Sequence, residues 1–548
     1  MSKIISLILL IIISVNLFGQ KKYPGDKPTL IIAIVIDQMR YDYIYRYWSK
    51  FSEKGFKRLI NEGTFCKNAS LNYVFTQTGP GHATIFTGAN PSEHGIISNE
   101  WYSRLGKKRI YCVTDENVKT VGGKMDNGKF SPKNLFVATL GDQLKLSNNH
   151  KSKVIAISLK ERAAILSGGH LADAAYWYDK YTGSWITSTY YMQDLPEWVK
   201  EFNKKRYCDT YLEGVWNTYI PIDQYTESLP DSNEFEIGFS NKKITFPYNL
   251  GEMSLKSNKE KDYNILVSTP FGNTYTYNFA VAAIENEGLG QDKYPDLLII
   301  SFSATDYIGH DYGPLSVEME DAFLRLDYEI STLLDYINFT IGKENTLVFL
   351  TADHGAPLPP DYLESQKLPA GKFKNYFSIA LLKSYLNAIY GEADWVEEYI
   401  DQSIYLNRTL IENSKLSLKE FQERTADFMA QFNGIANAMP ASTLQNTAFS
   451  DGIYKKMQNS YNMKRSGDVL INLQSGWIES GIYVTNHNSG YSYDTHVPLI
   501  FYGWKINRMT INEPVDITDI VPTISTMLNI EKPGGASGKP IEKIINPQ

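Results

Sequence analysis

The stretch Leu30-Ile-Ile-Ala-Ile-Val-Ile36 is an unbroken run of apolar residues that ends directly before Asp37. A short continuous run of this kind, rich in β-branched residues, predicts a strand that is buried on both faces. Four further runs share the pattern: Val154–Ser158, Leu297–Ser303, Leu347–Thr351 and Val497–Tyr502. The segments between these runs have apolar residues at helical spacing. This alternation predicts an α/β fold, an α/β/α sandwich with a largely parallel central sheet.

Metal-binding residue types stand at the ends of these predicted strands. They are Asp37, Asp306, His310, Asp353, His354 and His496. Carboxylates and imidazoles are costly to bury without partners, and their oxygen and nitrogen atoms suit zinc and similar divalent ions. In open α/β sheets, ligands bind beyond the carboxyl ends of the strands. The sequence therefore predicts a metallohydrolase with a two-metal site.

Composition and charge narrow the function classes. The chain has 548 residues, of which 43% are hydrophobic and 21% are charged, as in ordinary globular proteins. Its formal net charge of −7 argues against a nucleic-acid-binding surface. We therefore expect no nucleic-acid partner, and we expect a monomer whose partners are small molecules.

The N-terminus has the features of a secretory signal peptide. Lys3 precedes the apolar stretch from Ile4 to Leu17, and the small residue Gly19 follows. We predict a signal peptide over residues 1–19 and export to the periplasm or the medium. The apolar stretch is shorter than the roughly 20 residues that span a bilayer comfortably, so we expect no stable membrane anchor.

Export permits disulfides, but the sequence leaves the state of the cysteines open. The three cysteines, Cys66, Cys112 and Cys208, allow one bridge with one free thiol, or three buried thiols.

Two long intervals interrupt the α/β pattern. We predict a catalytic domain over residues 20–548, with insertions at about 178–277 and about 356–485 that form a cap over the site. The alternative, separate domains, is weaker because no long Pro/Gly/Ser linker brackets either interval.

Thr78 is the candidate nucleophile. It lies in Thr76-Gln-Thr78-Gly-Pro-Gly-His82, where a tight turn leads into a predicted helix. A helix N-terminus favours an anion, either an alkoxide or a bound phosphate. Taken alone, the segment is better explained by Thr78 as a helix N-cap, because threonine is common there.

Seven segments, taken in chain order, resemble one known superfamily. They are Ile36-Asp-Gln-Met-Arg40, Thr76-Gln-Thr-Gly-Pro-Gly-His-Ala83, Asn90-Pro-Ser-Glu-His-Gly-Ile-Ile-Ser-Asn99, Ser158-Leu-Lys-Glu-Arg-Ala163, Ala304-Thr-Asp-Tyr-Ile-Gly-His310, Thr351-Ala-Asp-His-Gly355 and Ser492-Tyr-Asp-Thr-His-Val-Pro498. The set resembles the alkaline phosphatase superfamily. More narrowly, it is similar to the phosphate-irrepressible bacterial alkaline phosphatases, which use threonine as nucleophile.

The resemblance implies two Zn²⁺ per chain and a role for each ligand. One zinc would be held by Asp306, His310 and His496. The other would be held by Asp37, Asp353, His354 and the Thr78 oxygen. Thr78 would attack phosphorus, a phospho-threonine would form, and water activated by the first zinc would hydrolyse it. No counterpart of a third, magnesium site is found, so none is expected.

The substrate class depends on three further residues. Lys160 and Arg162 follow the predicted strand Val154–Ser158 with alternating positions, so both can face one site. Asn99 adds an amide donor. In the resembled family these positions contact the phosphate, and the Lys/Arg pair is associated with phosphate monoesterases. A solvated strand end is the plainer interpretation of Lys160 and Arg162 taken alone.

Two rivals to a zinc-dependent alkaline phosphatase remain. A nucleotide pyrophosphatase/phosphodiesterase shares the threonine and the metal ligands, and only Lys160 and Arg162 separate it from a monoesterase. A protein that binds phosphate without turnover is the rival from another class. Thr78 beside a full ligand set argues against that rival.

Overall fold

The structure is a computed structural model that describes residues 26–546 except 125, 240–242, 257 and 259. The predicted signal peptide, residues 1–19, lies outside the described residues. Within them, no helix is both long enough and apolar enough to cross a membrane.

The described strands form one large sheet and several small ones. In chain order, β1 to β20 are Leu30–Ile36, Thr64–Ser70, Glu100–Ser103, Lys108–Tyr111, Thr120–Val121, Val154–Ser158, Ala174–Asp179, Ser184–Ser188, Val215–Trp216, Tyr248–Asn249, Asp296–Phe302, Thr346–Thr351, Gly371–Phe373, Val396–Ile400, Ser403–Leu406, Ile435–Pro440, Val469–Leu473, Trp477–Glu479, Leu499–Gly503 and Met509–Asp516. The large sheet has the order β20-β2-β19-β12-β1-β11-β6-β7-β8-β5.

The centre of the large sheet is parallel, which confirms the predicted fold class. Strands β12, β1, β11, β6 and β7 run in one direction. Every residue of β1, β11 and β12 is buried, so both faces of the sheet are covered. In the register, Leu30 of β1 lies opposite both Asp296 and Thr346. The carboxyl ends of the three strands therefore meet at one edge.

Helices cover the faces of this sheet and build the rest of the chain. In chain order, α1 to α21 are Tyr43–Arg46, Phe56–Glu62, Thr78–Thr87, Pro91–His94, Leu140–Ser147, Glu161–Gly168, Glu197–Lys204, Tyr207–Glu213, Leu250–Met253, Phe271–Glu287, Ala304–Tyr312, Val317–Thr340, Pro360–Ser365, Asn375–Tyr390, Arg408–Asn413, Leu418–Met429, Ala441–Asn446, Gly452–Ser460, Ser492–Thr495, Ile520–Met527 and Glu542–Ile545.

A second sheet lies inside the later predicted insertion. Its order is β14-β15-β17-β16, and it packs with α14 and α16 around a core of its own that contains Leu382, Trp395 and Phe421. We call the segment from 371 to 479, which holds this sheet, the cap. The division of the chain into a catalytic domain with two insertions remains a prediction.

The cysteines decide between the two alternatives left by the sequence. Cys66, Cys112 and Cys208 are buried and unpaired, so the chain carries three buried thiols.

Candidate active site and metal centre

Two clusters of acidic and imidazole side chains lie at the carboxyl edge of the sheet. In each cluster the ligand atoms all lie within 4.8 Å of one another. We call Asp37, Asp353 and His354 the carboxylate-rich group. We call Asp306, His310 and His487 the histidine-rich group. The rings of His354 and His487 stack with their centroids 3.6 Å apart, so the two groups adjoin.

The carboxylate-rich group is built by two adjacent strands. Asp37 directly follows β1, and Asp353 and His354 follow β12. All three side chains are fully buried. His354 Nε2 lies 3.6 Å from Asp37 Oδ1 and 3.6 Å from Asp353 Oδ2. The parallel pairing of β1 with β12 brings these side chains together.

The histidine-rich group combines a helix with a distant loop. Asp306 and His310 are one turn apart on α11, with His310 Nε2 3.3 Å from Asp306 Oδ1. His487 comes from the loop between β18 and α19, and its Nε2 lies 3.5 Å from the same Asp306 oxygen. His487 is therefore far from Asp306 and His310 in sequence, and only the folding of the chain brings it to them.

The three imidazoles are oriented in the same way. Nδ1 of His310 lies 3.0 Å from the carbonyl oxygen of Thr485, and Nδ1 of His354 lies 3.0 Å from that of Gly355. Nδ1 of His487 likewise faces the carbonyl oxygen of Thr76. A carbonyl can only accept, so each Nδ1 carries a proton, and each Nε2 faces its group and would offer it a lone pair in the neutral imidazole. Metal-binding histidines are typically held in this way.

The electrostatics of the carboxylate-rich group also suit a cation. Burial, and then the charge of Asp353, hold the pKa of Asp37 well above its ordinary value. Asp37 Oδ1, Asp353 Oδ2 and His354 Nε2 are buried and have no hydrogen-bond partner among the described residues. Such buried polar atoms are rarely left unpaired. The donor set therefore fits a divalent ion of the zinc type.

The prediction that His496 completes the ligand set is wrong. Its backbone bridges to Ser70 of β2, its Nε2 lies 2.8 Å from the carbonyl oxygen of Lys67, and its ring stacks on Tyr41 at 3.9 Å. The predicted strand is also shifted and begins at Leu499 rather than Val497. These contacts hold the imidazole outside both groups, and His487 takes the expected place.

Thr78 lies at the start of a helix that points into the site. It is the first residue of α3, and the N-cap position belongs to Gln77. The alternative that Thr78 is a plain N-cap is therefore wrong. Its side chain is only 1% exposed, and its Oγ1 lies 3.2 Å from Lys160 Nζ and 3.5 Å from Arg162 Nη2. Two cations and a helix N-terminus surround the hydroxyl.

Lys160 and Arg162 reach Thr78 for a different reason from the one expected. Strand β6 ends at Ser158 and α6 begins at Glu161. Lys160 and Arg162 therefore lie outside the strand, and the alternation of side chains along a strand does not orient them. Lys160 directly precedes the helix and Arg162 lies in its first turn.

Lys160 also joins the two groups electrostatically. Its Nζ lies 2.7 Å from Asp37 Oδ2 and 2.5 Å from Asp306 Oδ2. Burial disfavours its charge, but Asp306 and Asp37 outweigh burial and raise the pKa of Lys160. The ammonium group is therefore charged at neutral pH.

Asn99 is held against the start of the nucleophile helix. Its Oδ1 accepts a hydrogen bond from the backbone N–H of Gly79 at 2.8 Å. Its own backbone N–H donates to Gln77 Oε1 at 2.6 Å. With its oxygen occupied, the carboxamide retains Nδ2 as a donor.

Sequence reasoning missed two residues of this site. His487 follows no apolar run, so the pattern that predicts the other ligands does not reach it. Gln38 was overlooked, although its amide Nε2 donates to Asp306 Oδ1 at 2.8 Å and its backbone N–H donates to Asp353 Oδ1 at 3.2 Å. Its place directly after Asp37 at a strand end was the available signal.

Fold and site together define a class. A parallel α/β sheet carries two adjoining carboxylate–imidazole groups and a helix-terminal threonine, the arrangement of the alkaline phosphatase superfamily. Within that superfamily, the sequence model of the type I phosphodiesterase / nucleotide pyrophosphatase family matches residues 31–491. The chain belongs to this family.

Curated relatives match almost the whole chain. It is 40% identical over 520 residues to alkaline phosphatase PhoV of Synechococcus elongatus, covering 95% of this chain and 93% of that protein. It is 42% identical over 525 residues to a protein of Myroides odoratus named calcium-transporting ATPase, covering 95% of each. It is 39% identical over 542 residues to alkaline phosphatase PafA of Elizabethkingia meningoseptica, covering 98% of each.

A crystal structure of wild-type PafA has the same fold. It matches with a TM-score of 0.90 at 39% identity, covering 95% of this chain and 99% of that one. These relatives confirm the predicted resemblance to alkaline phosphatases and that the chain is an enzyme of this type. The family name covers phosphodiesterases as well, so it does not decide between monoester and diester substrates.

Proposed function

We propose that the chain is an exported, zinc-dependent alkaline phosphatase that hydrolyses phosphate monoesters through a phospho-Thr78 intermediate. The observation that carries the proposal is the position of Thr78 Oγ1, 3.2 Å from a lysine that ion-pairs with both candidate metal groups. The names of PhoV and PafA favour the same activity. Export rests on the sequence of residues 1–19, and a monomeric state remains part of the proposal.

The side chains suggest how each step proceeds. Lys160 and the N-terminus of α3 stabilise the Thr78 alkoxide. Its oxygen attacks phosphorus, forming the Oγ–P bond while the bond from phosphorus to the leaving alcohol breaks. Water then attacks the phospho-threonine, and phosphate leaves as the Thr78 oxygen is restored. Arg162 and Asn99 donate to the non-bridging oxygens throughout.

The two groups of ligands would hold one divalent ion each. Asp37, Asp353, His354 and the Thr78 oxygen would form one site, and the histidine-rich group would form the other. When bound, two such ions stabilise the attacking and leaving oxygens of an in-line displacement. Zinc is proposed because of the family resemblance, since carboxylate–imidazole sets also accept other transition metals.

The preference for monoesters follows from charge. A monoester dianion carries more negative charge on its non-bridging oxygens than a diester does. Lys160 and Arg162 are both charged beside Thr78, and Asn99 adds a neutral donor. Together with the divalent ions that the two groups would hold, these donors favour the dianion.

The first experiment compares kcat/KM for an aryl phosphate and for its methyl diester with zinc-loaded protein. We expect a strong preference for the monoester. Replacing both cations, K160A together with R162A, should reduce monoester turnover far more than diester turnover. A diester preference, or equal losses on the two substrates, would move the protein to the phosphodiesterase alternative.

The nucleophile is tested by covalent labelling. Thr78→Ala should yield no phospho-enzyme after acid quenching with a labelled monoester, while the circular dichroism spectrum stays that of the wild type. Covalent phosphate on this variant would refute Thr78 as nucleophile. Turnover by the wild-type protein would in turn exclude the phosphate-binding alternative.

ATP is a second discriminating substrate, suggested by the name of the Myroides odoratus relative. Attack on its terminal phosphoryl group, which is a dianion, releases ADP and phosphate. Attack at the α-phosphorus, which is diester-like, releases AMP and pyrophosphate. We expect phosphate as the first product, and pyrophosphate would support the phosphodiesterase alternative.

A further inference from the structure

A turn of the cap touches the active site. Strands β14 and β15 pair up to Ile400 and Ser403, so Asp401 and Gln402 alone form the hairpin turn. Both have positive φ, 45° and 60°. A two-residue hairpin turn requires positive φ at both positions and favours Asn, Asp and Gly there. Glutamine is poorly suited to this conformation. The contacts that the two side chains make outside the hairpin are therefore the better explanation of their presence in the turn.

Asp401 contacts the segment beside the nucleophile helix through Ser98. Ser98 Oγ lies within hydrogen-bond distance of Asp401 Oδ2 and 3.0 Å from Gln77 Oε1. The hydroxyl has one proton, and the carboxylate is the stronger acceptor, so Ser98 donates to Asp401. Gln77 Oε1 then remains the acceptor of the Asn99 backbone N–H at 2.6 Å.

Asn99 completes the connection to Thr78. Its Oδ1 accepts from the N–H of Gly79, the residue after the nucleophile, at 2.8 Å. Ser98 directly precedes Asn99 in the chain, so the contact with Asp401 fixes the backbone that carries the carboxamide beside Thr78.

The second residue of the turn reaches the other side of the site. Gln402 is 4% exposed, and its Nε2 donates to the carbonyl oxygen of Asn488 at 3.0 Å. Asn488 directly follows His487 of the histidine-rich group. The turn thus braces both the Asn99 segment and the histidine loop.

We propose that Asp401 is a positioning residue for monoester hydrolysis, fixing the Asn99 carboxamide against Thr78 by holding Ser98. The inference rests on the proposed function. Among the described residues, no hydrogen bond or ion pair joins Asp401 to Thr78 or to a candidate metal ligand, so we expect its effect on the reaction to pass through Asn99. Small displacements of a group that orients the substrate are costly, up to about a hundredfold in rate for roughly 1 Å.

The test uses Asp401→Asn, because asparagine keeps the tolerance for positive φ and removes only the charge. We expect kcat/KM for an aryl phosphate to fall by about tenfold, since the Ser98 contact weakens without being deleted. In an Asn99→Ala background the same substitution should change kcat/KM by less than about twofold, because the group that it positions is gone.

Asp394→Asn is the matched control, since Asp394 belongs to the same cap and its side chain is exposed. It should leave kcat/KM unchanged in both backgrounds. Ser98→Ala tests the same connection if Asp401→Asn does not fold, and it should show the same loss and the same dependence on Asn99.

Two results would overturn the inference. One is wild-type kcat/KM for both Asp401→Asn and Ser98→Ala. The other is a loss that is equally large with and without Asn99, which would indicate a general effect on the fold. Thr78→Ala separates this outcome from failure of the proposed function, because turnover by Thr78→Ala would reject the reaction itself.

Discussion

The two candidate metal groups differ in charge and in origin. The carboxylate-rich group has two carboxylates and one imidazole, and its residues lie just after the ends of β1 and β12. The histidine-rich group has one carboxylate and two imidazoles, and one of these comes from a loop far along the chain. With ionised carboxylates and neutral imidazoles, the forms that would bind a cation, the two groups would carry charges of −2 and −1.

This difference has a chemical consequence. A divalent ion would be neutralised by the ligands of the carboxylate-rich group, whereas the ligands of the histidine-rich group would leave one positive charge. That excess suits the side of the site where a leaving oxygen develops negative charge. We expect the carboxylate-rich group to hold its ion more tightly, because the attraction grows with the charge of the ligands.

The largest expected effect comes from removing a carboxylate from the carboxylate-rich group. Asp37→Asn leaves Asp353 as its single charge. We expect the bound metal to fall from about two equivalents to about one, and kcat/KM for an aryl phosphate to fall by about a thousandfold. Elemental analysis of the purified protein and steady-state kinetics measure the two quantities.

Asp361→Asn is the control for this substitution, because Asp361 lies outside both groups and its exposed carboxylate pairs with Lys372. Asp361→Asn should keep about two equivalents of bound metal and the activity of the wild type. If Asp37→Asn retained both equivalents of metal, Asp37 would not be a metal ligand. The proposed difference in charge between the two groups would then be wrong.

A smaller effect is expected from the loop member of the histidine-rich group. His487→Ala should lose one metal equivalent and reduce kcat/KM by about a hundredfold. His496→Ala is its matched partner, because His496 follows in the same part of the chain but packs on Tyr41. We expect His496→Ala to keep both equivalents and its activity within about twofold, as substitutions away from the site do.

The reverse pattern would restore the prediction made from sequence. Metal loss in His496→Ala, with a full complement in His487→Ala, would mean that the ligand is His496. Saturating zinc in the assay adds a second readout, because a variant with a weakened site should recover part of its activity as zinc is raised.

The same comparison explains how far the sequence could predict the site. Asp37, Asp353 and His354 follow apolar runs that form central parallel strands, so their convergence at one edge was foreseeable. Asp306 and His310 are one helical turn apart after another such strand. Local periodicity and the rules of parallel sheets therefore predict these positions.

His487 could not be found in this way. It lies in a loop without periodic pattern, and only the packing of that loop against Thr76 and the cap brings it to Asp306. His496 misled because it precedes an apolar run. That run forms a strand antiparallel to β12, with its beginning at the same edge of the sheet. The contacts of His496 with β2 and Tyr41 then turn the side chain away.

The smallest expected effect concerns Glu329, a buried carboxyl group outside both metal groups, where burial outweighs the nearby charge of Arg325. Glu329 of α12 accepts a hydrogen bond from Thr274 on one oxygen, and its other oxygen has no partner among the described residues. Burial raises the pKa of Glu329 from 4.5 to about 8. The folded state therefore holds a proton between these two pH values that the unfolded state releases.

The sign of the pH dependence follows from this difference in bound protons. Glu329 lowers the free energy of unfolding progressively as pH rises from 4.5 to about 8, and its contribution is constant above that range. Glu329→Gln removes the ionisation. We expect the same Tm as wild type at pH 5 and a Tm about 1–2 °C higher at pH 9. Calorimetry at a series of pH values measures the difference, with the exposed Glu344→Gln as control. A Tm difference that does not change with pH would show that Glu329 remains ionised in the fold, and that the charge of Arg325 is then sufficient to offset burial outside the metal groups.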